Sequence, residues 1–429
     1  MMFHTINKMK WGYVFIMMIL LTSCNEDDYK VAIPRNVIGL FVVDMAKAQD
    51  DNVISREFAN SGIDSASEVF LFETNDRNFG MCARIESSSQ FEEWMSRMEE
   101  QNECSEIVRR NDIGFATYKD SWILGFNDHC LLALGPVLPN MKTQVKQQMA
   151  RWLKQKPKQS ILESRLYTVV DSMDAPMKMI ANISALPESV VAPFTLGLPK
   201  NADPSQVYVK AEISVLKDVL HVKGESFSFN KQVDKSLKKM ASQFRTVNGR
   251  FHYLPQDAFL TLLTNVKGTL FIEALQQNSS LRGVLAGLNS ILDLNNVFSS
   301  VDGELAISFT PSEFSQDLIA EGQQPKINMQ AELANTDFLK KEWHQSSSGF
   351  HFSTEQTDGQ KKAVFCCSNV NTKNKVAADS LRDYSSLIDG ERMCLIMQMN
   401  AINDEKAKTV QKVLATVFGN INTLFYTIK

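Results

Sequence analysis

The chain of 429 residues has no second long apolar run beyond its N-terminal segment. A membrane-spanning helix needs roughly 20 consecutive apolar residues, so none is expected past that point. An excess of positive charge is also missing. The 45 Lys and Arg are outnumbered by 49 Asp and Glu, for a formal charge of −4. A nucleic-acid partner calls for a basic face, so this class is excluded. Histidine is scarce, with six in the whole chain, and no two lie three or four apart to clasp a metal on one helix. There is no nucleophile elbow, phosphate loop or dinucleotide fingerprint. The spacing of the cysteines gives no disulfide framework, and Cys366 and Cys367 are adjacent, which on a strand sends them to opposite faces. No metal and no cofactor is expected.

What is present is an address. Lys8 and Lys10 form a short positive region, and residues 11–21 form an apolar run of secretory-signal length. Leu21-Thr22-Ser23-Cys24 follows: an aliphatic residue, two small ones, then a cysteine. This tetrad resembles the bacterial lipobox. The resemblance implies cleavage before Cys24 and diacylglycerol on its thiol, so residues 1–23 read as signal peptide and 24–32 as an acidic tether. The alternative is an ordinary signal peptide with an incidental cysteine. Two or more acyl chains anchor stably, because each buried CH2 adds about 0.8 kcal/mol. Loss of Lys8 and Lys10 takes the mature chain from −4 to −6.

The remaining sequence, 44% hydrophobic and 22% charged, has the balance of a folded globular chain. Residues 33–44 read as a turn at Pro34 followed by a buried strand, and strands are expected at 69–73 and 80–85. Ser89 with Glu92 reads as a capping box opening a helix that carries Phe91, Trp94, Met95 and Met98 on one face. Residues 108–118, 122–126 and 130–134 read as successive antiparallel strands, and 141–153 as a helix. Further on come a strand at 179–183, a hairpin over 206–229 and an amphipathic helix over 231–244. Strands follow one another through short turns without a steady βαβ rhythm, so the expected class is α+β, with mostly antiparallel sheets backed by helices.

The chain then begins again. Leu254-Pro255-Gln256-Asp257 echoes Ile33-Pro34-Arg35-Asn36, an offset of 221 residues. Met329-Gln330-Ala331-Glu332-Leu333 echoes Met81-Cys82-Ala83-Arg84-Ile85, an offset of 248. These echoes predict two related halves, 33–249 and 250–429. The extra length of the second is placed in a helical stretch over 275–298. Chance sharing of strand-cap-helix patterns is the alternative. Strands are expected at 303–310, 350–354, 362–369 and 392–399, and a closing helix over 405–418.

The lipobox, the Ile-Pro-Arg-Asn opening and the strand-helix repeat together resemble the large Bacteroidetes lipoproteins of unknown function. Asn25, Glu26, Asp27 and Asp28 resemble the surface-export signal of such lipoproteins. The resemblance implies an outer-membrane lipoprotein, with the cell surface preferred over the periplasmic face. It implies no activity and no catalytic residue.

The sharpest candidate for binding is Leu281, Val284, Leu285, Leu288, Ile291 and Leu292. Their spacing gives one apolar helix face. Such a face lines a lipid or peptide groove, docks an envelope protein, or packs over a sheet as core. His129 beside Cys130 is the nearest approach to a thiol nucleophile and its base, but strand neighbours point apart. The functional expectation is therefore a non-catalytic binding or structural module, anchored to the membrane by lipid, with envelope proteins, lipid or polysaccharide as partners. The alternative is a hydrolase-like enzyme whose site is assembled from distant segments.

Overall fold

The computed structural model describes residues 28–47, 58, 60–185, 203–248, 258–277, 294–310, 326–335, 351–356, 363–368, 384–399 and 418–428. Cys24 and the apolar face formed by Leu281, Val284, Leu285, Leu288, Ile291 and Leu292 lie outside these residues, as does the expected closing helix up to 417. The chain is a mixture of helix and strand, and its strand pairings are mostly antiparallel. It divides into two compact units: Met1–Val37 with Phe58–Thr168, and Ile38–Glu57 with Val169–Lys429.

The first strand, β1 (Val37–Asp44), runs into the second unit. The first unit holds β2 (Glu68–Thr74), β3 (Phe79–Arg84), β4 (Val108–Arg110), β5 (Ile113–Tyr118), β6 (Trp122–Phe126) and β7 (Cys130–Gly135). Their order is β2-β3-β7-β6-β5-β4, antiparallel throughout. Residues 108–118, expected as one strand, are two. Asn111 takes a φ of 55° and turns the chain between β4 and β5. Asn tolerates that left-handed conformation better than most residues.

Two helices cover opposite faces of this sheet. Helix α1 (Ser88–Glu100) buries Phe91, Met95 and Met98, and Phe91 meets Phe126 edge-on at 5.0 Å between ring centroids. Helix α2 (Lys142–Trp152) places Met149 against Gly125. Gly125 and Phe126 are neighbours on β6 and so face opposite sides. Each large apolar side chain buried this way contributes about 1.5–3 kcal/mol. The cap of α1 differs from the expected one. Ser87, not Ser89, is the N-cap and accepts from the Gln90 amide. Gly62 explains the shift. Its carbonyl accepts from the Glu86 and Ser87 amides and fixes the entry into the helix two residues earlier.

The second unit contains β1 together with β8 (Met177–Asn182), β9 (Val207–Leu216), β10 (Val219–Ser228), β11 (Phe244–Arg245), β12 (Leu260–Lys267), β13 (Val301–Thr310), β14 (Lys326–Leu333), β15 (His351–Gln356), β16 (Ala363–Ser368), β17 (Met393–Gln398) and β18 (Thr423–Ile428). One run, β1-β8-β9-β10, is antiparallel. A second run, β18-β17-β12-β13-β14-β16-β15, is also antiparallel. They join through the parallel pair β10–β18, in which Val219 lies opposite Thr423 and Gly224 opposite Ile428.

In both runs an early strand pairs with a late one. Val43 of β1 lies opposite Met177 of β8, and Thr264 of β12 lies opposite Met393 of β17. Helix α3 (Lys231–Ala241) covers the sheet with Val233, Leu237 and Met240. Phe244, expected at the end of this helix, instead begins β11, because the helix stops at Ser242. Helices α4 (Gly268–Gln277) and α5 (Leu294–Ser300) pack Phe271 on Phe298. The short helix α6 (Ser385–Ile388) buries Ile388 in a cluster with Val219, Leu263, Ile396 and Phe425. Among the described residues no helix is long and apolar enough to cross a membrane.

Candidate functional site

In the first unit the chain enters as a 3-10 helix, Asp28–Ala32. Tyr29, Ala32 and Ile33 are buried, so this segment is part of the fold although it directly follows the acidic cluster. Its backbone is stitched down at several points. The Gln155 side-chain amide donates to the carbonyls of Val31 and Ile33, and the Ile161 amide donates to the same Ile33 carbonyl at 2.9 Å. The Arg35 amide donates to the Gln159 carbonyl, and Pro34 bridges to Ser160.

Lys30 is the unusual element here. Its side chain is 11% exposed, and its ammonium donates at 3.2 Å to the Glu68 carboxylate and at 3.2 Å to the Tyr167 hydroxyl. The rings of Phe70, Tyr167 and Tyr29 lie 5.4, 5.7 and 6.0 Å away. A buried ammonium needs a paired anion and satisfied donors, and aromatic faces add cation–π attraction. The Tyr29 hydroxyl donates to the Glu68 backbone carbonyl at 2.9 Å, so helix and strand are held by both residues. Chemically this is a clamp on the incoming chain.

In the second unit the richest grouping of titratable side chains follows from the β10–β18 register. His221 and Lys223 share one face of β10, as do Phe425 and Thr427 of β18. His221 Nε2 lies 3.1 Å from Thr427 Oγ1, and its ring meets the edge of Phe425 at 5.8 Å. Lys223 Nζ donates to Glu391 Oε1 at 2.5 Å. Burial pushes the His221 pKa below its usual value, Glu391 works against that, and Lys223 adds to it. The neutral imidazole is therefore favoured. Thr427 is fully buried and Lys223 is paired with Glu391, so the row links β10 to β18.

Six cysteines fall in the described part and all are free thiols. His129 is exposed while Cys130 is buried, so the two are not a catalytic pair. Cys82 and Cys130, from different strands, have sulfurs 3.7 Å apart. Among the described residues no group of three or more His, Cys, Asp or Glu side chains is placed to hold a metal. The clamp at Lys30 had no motif to announce it; an aliphatic-aromatic sequence directly after an acidic tether was the available signal.

Comparison with known proteins gives one family. Residues 42–357 match the domain of unknown function DUF4836. A solved structure, crystal form I of TP0453, is similar over 84% of this chain and 97% of that chain, at 10% identity and a TM-score of 0.25. No curated protein matches.

Proposed function

Because the chain belongs to the DUF4836 family, a domain of unknown function, we propose a role from its own residues: a lipid-anchored protein of the Bacteroidetes type, attached to the outer membrane through Cys24, non-catalytic, and held close to the bilayer. The observation that carries this reading is the clamped segment Asp28–Ala32. Only four residue steps separate Cys24 from Asp28. Fully extended they span at most about 14 Å. An acylated Cys24 therefore keeps the first unit within that distance of the membrane surface. A protein built to reach far from its membrane carries a long flexible linker instead.

The two halves of the sequence are proposed to descend from one duplicated unit. Support comes from the strand registers. Val43 and Thr264 are 221 residues apart, the same offset as Pro34 and Pro255, and each lies opposite a methionine that opens a late strand. In the same way β2-β3-β7 and β13-β14-β16 are consecutive antiparallel triplets. Broad antiparallel sheets of this kind suit binding of an envelope protein, lipid or polysaccharide. The cell surface is the preferred face, on the acidic residues after Cys24.

The test is cell fractionation of wild type and Cys24→Ala, with protease added to intact cells. The expected result is membrane-bound wild type that is digested on intact cells, and a Cys24→Ala chain released from the membrane fraction. A Cys24→Ala chain that stays membrane-bound to the same extent overturns the anchor. Protection of the wild type until the outer membrane is opened overturns surface display and leaves the anchor standing.

A further inference from the structure

We propose that Cys82 and Cys130 are a disulfide-forming pair that locks β3 to β7 beneath the N-terminal segment. The register places Cys82 opposite Leu132 and Cys130 opposite Arg84, so the two cysteines are diagonal neighbours on one face of adjacent antiparallel strands. Their sulfurs are in van der Waals contact at 3.7 Å, and both thiols are directed at one acceptor, the carbonyl of Tyr29, at 3.3 and 3.6 Å. Closing that gap to a bond of about 2.05 Å takes side-chain rotation and a small approach of the two strands, since diagonal neighbours lie about 7–8 Å apart and disulfides span about 4.4–6.8 Å between Cα atoms. Cys104 is buried and 22 residues from Cys82 in sequence.

Both thiols are buried, at 0% and 3% exposure, and burial pushes the Cys82 thiol well above its usual pKa. Burial shields the folded pair from an oxidant, so the bond forms while the chain folds, before Asp28–Ala32 covers it. The chemistry is thiol–disulfide exchange with a disulfide-bearing oxidant. One cysteine thiolate attacks a sulfur of the oxidant and releases its first thiolate. The second cysteine thiolate attacks the mixed disulfide at the first cysteine and releases the other. Two cysteine thiols are oxidised, one oxidant disulfide is reduced to two thiols, and the two protons go to the leaving thiolates. In the oxidised protein the Tyr29 carbonyl loses both thiol donors, while β3 and β7 gain a covalent tie that encloses α1 and β4 to β6. The pair stands on geometry alone; only its oxidation in the cell rests on the export reading above.

The experiment is refolding of the Cys24→Ala chain, which has six thiols, in a mixture of oxidised and reduced glutathione. Alkylation under denaturing conditions and peptide mass mapping follow. The expected result is two of six alkylations lost, a Cys82–Cys130 cross-linked peptide, and alkylated Cys104, Cys366, Cys367 and Cys394. Cys82→Ser and Cys130→Ser each abolish the cross-link, with circular dichroism verifying that each variant is folded. Six alkylated cysteines, or a different cross-linked pair, overturn the proposal. The same alkylation trap applied to whole cells separates the two claims. Reduced cysteines there, with an oxidised pair after refolding, overturn export while the pair stands.

Discussion

The Lys30 ammonium sits 3.2 Å from the Glu68 carboxylate, with 11% of one side chain and 20% of the other exposed. This pair ties the segment Asp28–Ala32 to β2.

Removing one partner takes this ion pair away from the other, largely buried charge. Lys30→Met is expected to destabilise the first unit by roughly 2–3 kcal/mol, somewhat below the range for fully buried pairs because both groups retain some solvent. Lys30→Met combined with Glu68→Gln is expected to recover part of that loss. Denaturant midpoints of the two single variants and the double variant measure the coupling. A double variant that loses the full sum of the single losses contradicts the pairing. Proteolysis at Lys30–Arg35 accelerates in the same order if the clamp holds the segment.

Gly62 carries a φ of +77°, and a Cβ there would meet the Ser87 carbonyl oxygen at 2.5 Å and the Phe91 amide at 2.6 Å. Both contacts are backbone of the α1 entry, which cannot rotate away. Gly390 has a similar φ of +87° and nothing within 4 Å of its Cβ position. Left-handed backbone costs a non-glycine residue about 1–2 kcal/mol. Gly390→Ala is expected to lose about that much, and Gly62→Ala clearly more. Equal losses in thermal or denaturant unfolding contradict the close approach.

The His221 pKa lies below its ordinary value of 6.5, first because of burial. The folded state thus holds its proton more weakly than the unfolded state does. Stability from this group is fully present above about pH 6.5 and is lost as pH falls below it, down through the depressed folded value. His221→Asn is expected to flatten that part of the stability profile while leaving the slope at lower pH, where carboxylates titrate. A profile between pH 5 and 7 that is unchanged in the variant contradicts the assignment.

Phe425 is fully buried at the β10–β18 junction, in contact with His221 and Tyr384. Phe425→Ala is expected to cost about 3–5 kcal/mol. Urea unfolding measures it, and a loss under about 1 kcal/mol shows that the C-terminal strand is not part of the core.

Much of the strand pattern was legible because it rests on local chemistry. The buried strand after the turn at Pro34, the strand at Trp122–Phe126 and the hairpin over 206–229 are found as β1, β6 and the pair β9–β10. What the sequence hid were features decided by distant partners. Residues 423–428, for which no strand was expected, become β18, paired with β10 and β17 on either side. Ser89 and Glu92 satisfy a local capping rule, but Gly62 moves the helix start to Ser87. Cys82 and Cys130 are 48 residues apart and their contact depends on the β3–β7 register. The face at Leu281, Val284, Leu285, Leu288, Ile291 and Leu292 lies outside the described residues and stands as a sequence expectation. In the candidate sites, His221, Lys223, Glu391 and Thr427 come from three separated segments, so no spacing rule finds them.

The central claim is that Cys24 is the acylated first residue of a chain whose body begins four residues later. Mass spectrometry of the N-terminal peptide from membrane-extracted protein tests it most directly. The account predicts a peptide that begins at Cys24 and carries a thioether-linked diacylglycerol. A peptide that retains residues before Cys24, or one that contains Cys24 with a free thiol, contradicts it.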